Sequence, residues 1–268
     1  MADQMFTGNI ASFLTPEGAL VFTLTNNGYK RMTYNLATHL LKIKVPWKLC
    51  IVCTDSQSFR YLRGMNIPCI RLREPLPDFG ADPSPFGSKY FQTLNLKKLE
   101  LLAKFSSDPS ILHGVYLDGD IAVYSDFLPD TLYRLKAPGA PKLMLQCDEQ
   151  TRVDCSGNLG GAHSCINGCT GFVAWSHGVD TRVFSVNAEK GVWKSHPEDQ
   201  LFVNTMMQRL NIPVATVPRH LYPNGAFATL YGKESPLKKV AHLLHYNYLI
   251  GASKEKKMML NGDWIIAC

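Results

Sequence analysis

No uninterrupted apolar stretch in this sequence approaches the roughly 20 residues that a helix needs to cross a bilayer. The apolar runs stop after a few residues, as around Val115–Leu117, so no membrane span is expected. There is no low-complexity run and no block of like charges, which excludes the usual composition of a disordered chain. No secretory leader is expected over Met1–Thr15: Asp3 stands where such leaders carry positive charge, and no apolar segment follows. Cysteine is sparse, 8 in 268 residues, too few for a disulfide scaffold. Without a leader these thiols are expected to be mostly reduced, in a cytoplasmic setting.

What is present suits a globular chain. Hydrophobic residues make up 46%, and the length allows a substantial core in a single domain spanning residues 1–268. The 28 Lys and Arg exceed the 22 Asp and Glu to give +6. Basic residues are scattered, with only Lys254, Lys256 and Lys257 clustered. That distribution fits a solvated face or a small polyanion rather than nucleic acid.

Ala19 to Thr25 reads as a buried strand ending on the turn-forming Asn26-Asn27-Gly28. Met32, Leu36, Leu40 and Ile43 then recur on one face of a helix. Strands over Lys48–Thr54 and Pro68–Leu72 enclose a helix over Ser56–Met65, and this alternation predicts an α/β fold with a parallel sheet flanked by helices. Residues 74–88, rich in Pro and Gly, form a loop of a length that is usually functional. Phe91, Leu94, Leu101, Leu102 and Phe105 mark the apolar face of a second helix. Gly114 to Tyr124 reads as one long strand. Further strands are expected near Leu143–Leu145, Gly171–Trp175 and Val214–Val217, with helices over Asp199–Leu210 and Lys254–Leu260. The chain is expected to divide near residue 125, into a regular first half (1–125) and a less regular second half (126–268).

Asp118 and Asp120 flank Gly119 in an apolar context, Val115-Tyr-Leu before and Ile121-Ala-Val-Tyr after. On a strand both carboxylates would share a face. Two buried anions repel unless a cation lies between them, and hard oxygen ligands suit Mg²⁺ or Mn²⁺ carrying a diphosphate. Gly119 would let a ligand approach the backbone. The competing reading is an ordinary Asp-Gly turn.

Tyr116-Leu-Asp-Gly-Asp-Ile-Ala-Val-Tyr124 resembles the metal-binding motif of GT-A-fold glycosyltransferases, in particular the family-77-like nucleotide-diphospho-sugar transferases, with much of the pattern shared by glycogenin-like family 8 enzymes. Other short motifs follow in the same order: Thr23-Leu-Thr-Asn-Asn-Gly-Tyr29, Lys98-Leu99, Cys169-Thr-Gly-Phe172, Asp199-Gln-Leu-Phe-Val-Asn204, Leu221-Tyr-Pro-Asn-Gly225 and His245-Tyr-Asn-Tyr-Leu-Ile-Gly251. Cys169 departs from the Asn usual at its position. The resemblance implies a Rossmann-like, mostly parallel GT-A sheet and a metal-dependent transferase using Mn²⁺ or Mg²⁺. It would move a sugar, with retention, from a nucleotide sugar such as a UDP-sugar to a glycan or glycoprotein acceptor. By the same resemblance Asp118, Asp120 and His245 hold the metal, and Thr25, Asn26, Tyr29, Asp55 and Asp118 contact the nucleotide. Lys98, Gly251, Lys254 and Lys257 attend the sugar or diphosphate, while Asp199 or Gln200 works near the anomeric carbon. Asp199 reads equally as a helix cap.

The remaining polar clusters read as less informative. Cys50 and Cys53 sit in a strand and are expected to pack in the core. Cys155, His163, Cys165 and Cys169 lack the paired short spacing of a zinc site. His242 reads as a satisfied core residue. A sugar-nucleotidyltransferase and a non-catalytic nucleotide- or glycan-binding protein are the alternatives. The first would carry a Gly-rich basic loop after the first strand, which Asn26-Asn27-Gly28-Tyr29 is not.

Overall fold

The computed structural model describes residues 5–77, 80, 87–150, 152, 157–158, 167–195 and 197–267. Its central strand, β2 (Ala19–Thr25), is buried along its whole length. Leu20, Phe22 and Leu24 enter one core layer, and Ala19 and Val21 the other. Side chains alternate across a strand, so a strand buried at every position requires cover on both faces. Phe22 meets Phe105 edge-on at 4.8 Å between ring centroids in the first layer. Leu36 and Leu40 of α1 (Lys30–Ile43) cover the second.

Preceding β2 is a short edge strand, β1 (Phe6–Thr7). After α1 come β3 (Leu49–Cys53), α2 (Ser56–Gly64), β4 (Cys69–Leu72), α3 (Lys89–Ser107), β5 (His113–Leu117) and β6 (Ile121–Val123). The second half adds α4 (Leu128–Lys136), β7 (Leu143–Cys147), β8 (Gly157–Asn158), β9 (Gly168–Ser176) and α5 (Lys190–Ser195). It closes with α6 (Asp199–Arg209), β10 (Val214–Thr216), β11 (Leu243–His245) and α7 (Ala252–Leu260). The large sheet has the order β1-β4-β3-β2-β5-β9-β7-β10-β8, and β6 pairs with β11 in a separate two-stranded sheet.

The expected parallel arrangement holds for β4-β3-β2-β5 and for β7-β10. Strand β9 runs antiparallel to both β5 and β7 and joins these two parallel blocks. The single strand expected over Gly114–Tyr124 is in fact two, β5 in the large sheet and β6 in the small one. Asp118, Gly119 and Asp120 form the turn between them. Gly114 is required by packing: a Cβ there would lie 2.0 Å from Trp175 Cζ2.

Cys50 and Cys53 are free thiols buried in β3, as expected, and Cys69 and Cys169 are also free. Cys147 is disulfide-bonded, an exception among thiols expected to be mostly reduced. Cys155, His163 and Cys165 lie outside the described residues. Among the described residues no helix is long and apolar enough to cross a membrane.

Candidate active site

A cleft of about 330 Å³ opens at the carboxyl end of β5. Its floor is built where the chain leaves the large sheet. Asp118 remains tied to β9 through its amide, which donates to the Gly171 carbonyl at 2.8 Å. Three residues later β6 begins and pairs antiparallel with β11, placing His245 opposite Ile121 and so beside Asp120. The imidazole packs against β9, where a Cβ on Gly171 would come within 1.9 Å of His245 Cε1. Gly171 is therefore fixed by the histidine.

His245 Nε2 is 3.3 Å from Asp120 Oδ1 and 3.6 Å from Asp118 Oδ2. It is aligned for a hydrogen bond with neither, and this buried nitrogen has no hydrogen-bond partner. One ligand atom from each of Asp118, Asp120 and His245 lies within 4.8 Å of the others. Two carboxylates and an imidazole nitrogen form a donor set for a divalent cation such as Mn²⁺, and an orphaned buried nitrogen between two anions fits such an ion. Burial opposes charge on both Asp120 and His245. It is outweighed at Asp120 by Lys254 and His245, which hold the carboxyl far below its ordinary value. For His245, Asp120 and then Cys169 outweigh it and raise the pKa to about 10.

Two ammonium groups flank the cluster. Lys254 Nζ lies 2.5 Å from Asp120 Oδ2. It is carried by α7, which the chain enters through Gly251 at φ 57°, ψ −137°, a conformation open to glycine. Lys98, on α3, is buried and reaches Asp199 Oδ2 at 2.7 Å and Asp118 Oδ1 at 3.1 Å, with its charge 4.6 Å above the Tyr116 ring. Desolvation disfavours its charge, yet Asp118 and Asp199 more than offset this and raise its pKa. Asp199 also accepts from the Thr170 hydroxyl at 2.6 Å. Burial raises the Asp199 pKa, but Lys98 above all, then Thr170, bring it below its ordinary value. Asp199 is the first helical residue of α6 rather than its cap, which is Glu198.

No family model matches the chain, and no curated protein is similar to it in sequence. Solved structures do resemble its fold. The galactosyltransferase LgtC, determined with donor and acceptor sugar analogs, superposes with a TM-score of 0.55 at 14% identity, over 92% of this chain and 97% of that one. Mouse xyloside xylosyltransferase 1 does so with a TM-score of 0.51 at 9% identity, over 85% and 97%. The chain has the GT-A fold.

Within this GT-A frame, Tyr29, Lys98, Asp118, Asp120, Asp199, Gln200, His245, Gly251 and Lys254 all line the cleft. Thr25, Asn26, Asp55 and Lys257 are not among the lining residues, and the first three have structural partners. Both Asp55 carboxylate oxygens accept backbone amides, from Ser58 and Asn27, each at 2.7 Å. Asn26 Oδ1 accepts from the Tyr29 amide at 3.0 Å, and the Thr25 hydroxyl accepts from Thr33 at 2.9 Å. Gly119 also lines the cleft, and a side chain there would crowd α1, since a Cβ would meet the Thr33 hydroxyl at 2.7 Å. His242 accepts from or donates to Ser125 at 2.8 Å and stays outside the cleft, consistent with a satisfied residue. Asn204 brackets Gly168 with two hydrogen bonds and fastens α6 to β9.

The structure adds a residue outside the motifs, Asp148, and gives contacts to Tyr116 and Asn247, which the motifs contain without a role. Tyr116 donates to Asp118 Oδ1 at 2.7 Å, and its position two residues earlier on β5 was a readable signal. Gln200 Nε2 and Asn247 Nδ2 both donate to Asp148, at 3.0 and 2.8 Å. Phe91 and Leu94, on the expected apolar face of α3, line the cleft, and Leu94 also packs against the core.

Proposed function

We propose that the protein is a metal-dependent glycosyltransferase that moves a sugar from a nucleotide-diphosphate donor, a UDP-sugar, to a hydroxyl of a glycan or glycoprotein. The observation that carries this reading is the Asp118–Asp120–His245 cluster, with its unpartnered Nε2, at the carboxyl end of a GT-A sheet. Residues 1–125 would form the nucleotide half and 126–268 the acceptor side of one domain. LgtC, a protein of the same fold, binds donor and acceptor sugar analogs.

Asp118, Asp120 and His245 would hold Mn²⁺ or Mg²⁺, which when bound supplies Lewis-acid neutralisation of a diphosphate leaving group. In the transfer the bond from the anomeric carbon to the diphosphate oxygen breaks and a bond to the acceptor oxygen forms, with the acceptor proton passing to a diphosphate oxygen. Lys254 is placed to balance the charge that grows on the leaving group. Lys98, fixed between Asp118 and Asp199, presents a second buried cation toward the sugar. Asp199 is engaged by Lys98 and Thr170, so its role is to set the field around the anomeric carbon. Gln200 has an amide within reach of the cleft and would position the sugar. Retention is the outcome implied by the resemblance to family 8.

The test is donor turnover: release of UDP from a panel of UDP-sugars with Mn²⁺, for the unaltered chain and for Asp120→Ala. Metal-dependent release that disappears in Asp120→Ala supports the proposal. Equal release in chelator contradicts it.

A further inference from the structure

Gln146 is completely buried on β7 and has no place in the motifs. The register between β7 and β9 breaks between Leu145 and Gln146, so that Gln146 pairs with Cys169 while Leu145 pairs with Val173. Such an irregularity redirects a side chain out of the ordinary alternation. Here it turns Gln146 toward His245.

The two ends of the Gln146 amide have distinct partners. Nε2 lies 3.1 Å from the Tyr222 carbonyl oxygen. A carbonyl only accepts, so this end must be the NH₂ group. The other end, Oε1, lies 3.0 Å from His245 Nδ1. An amide oxygen only accepts, so Nδ1 must carry a proton. Cys169 Sγ, at 3.7 Å from the same nitrogen, is the more distant neighbour. The lone pair that His245 can offer is then on Nε2, the nitrogen that faces Asp118 and Asp120 without a hydrogen bond.

We propose that Gln146 is the positioning residue of the metal site: anchored by the Tyr222 carbonyl, it holds His245 with Nδ1 protonated and so delivers Nε2 to the cation. The inference rests on the metal reading of Asp118, Asp120 and His245. Its chemistry is that of a ligating histidine whose second nitrogen donates to a fixed acceptor, an arrangement whose loss typically weakens metal binding about 10- to 100-fold.

The experiment follows the His245 ring protons by NMR in the full chain labelled with ¹⁵N-histidine, metal-free and with Zn²⁺ as a diamagnetic probe. Mn²⁺ affinity is measured by calorimetry on the same chain and on Gln146→Met. The expected result has three parts. Nδ1–H persists on Zn²⁺ addition while Nε2–H is lost. In metal-free Gln146→Met, Nδ1–H exchanges faster with water. The Gln146→Met variant loses about 10- to 100-fold in Mn²⁺ affinity.

Loss of Nδ1–H with retention of Nε2–H on Zn²⁺ addition overturns the proposal, as does Gln146→Met with unchanged exchange and affinity. If Zn²⁺ leaves the wild-type ring signals unchanged and Mn²⁺ shows no binding by calorimetry, the metal reading fails. The Nδ1–H exchange rate in metal-free Gln146→Met then judges the hydrogen-bond relay separately: faster exchange upholds it and an unchanged rate overturns it. Should Gln146→Met fail to fold, the wild-type ring signals decide alone.

Discussion

Lys98 Nζ and Asp199 Oδ2 lie 2.7 Å apart and join α3 to the first turn of α6 beneath the cleft. Each is nearly sealed from solvent. Removing one member of such a pair leaves an uncompensated buried charge, at a cost of about 3–5 kcal/mol. Lys98→Met is expected to lower stability by this order and to abolish transfer. The double variant Lys98→Met/Asp199→Asn is expected to regain much of the stability while remaining inactive. Chemical denaturation and donor turnover, measured on the unaltered chain and both variants, separate the two effects.

Gly171→Ala tests the seat of the histidine. The added methyl would lie 1.9 Å from His245 Cε1, so either the ring or β9 must move. Overpacking of this kind costs about 1–3 kcal/mol. The expected outcome is a modest fall in thermal stability and a large loss of Mn²⁺ affinity. An alanine variant with normal Mn²⁺ affinity would show that His245 is not held against β9.

Acid should weaken the fold through Asp199. Its carboxyl pKa lies below the ordinary 3.8, because Lys98 and Thr170 outweigh the effect of burial. A depressed carboxyl contributes stability that is present above the unfolded pKa and lost as pH falls through the folded one. Urea midpoints should therefore fall as pH drops below about 4. Asp199→Asn should show a shallower fall over the same range. Parallel curves for the two proteins would remove Asp199 from the explanation.

Gly251→Ala tests the entry into α7. At φ 57° and ψ −137° an alanine is strained, at a cost of about 1–3 kcal/mol. Because α7 carries Lys254 to Asp120, the variant is expected to raise KM for the nucleotide donor more than it lowers thermal stability. Donor saturation curves and a thermal melt provide the comparison.

The first half of the fold was legible in the sequence because its signals are local. The Ala19–Thr25 strand and the Met32-Leu36-Leu40 face carry their own periodicity, and both appear with the expected residues. The turn at Asp118-Gly119-Asp120 was less so. Apolar residues on both sides read as one strand, while the pairing of β6 with β11 draws the chain into a second sheet. That pairing joins residues remote in sequence, which no window along the chain detects. His245 was found through a motif, but its partner Gln146 was not, since a register break between β7 and β9 leaves no local mark. Asp55 shows the converse: its place at the end of a strand suggested a nucleotide contact, yet both of its oxygens serve the backbone.

The central claim is that Asp118, Asp120 and His245 form a cation site on which a nucleoside diphosphate depends. Calorimetric titration of UDP into the full chain, with Mn²⁺ and again in chelator, tests it most directly when repeated on Asp120→Ala. The account predicts UDP binding with Mn²⁺ that disappears both in chelator and in Asp120→Ala, with the thermal melt of the variant still cooperative. UDP affinity that is the same in chelator, or unchanged in Asp120→Ala, would contradict it.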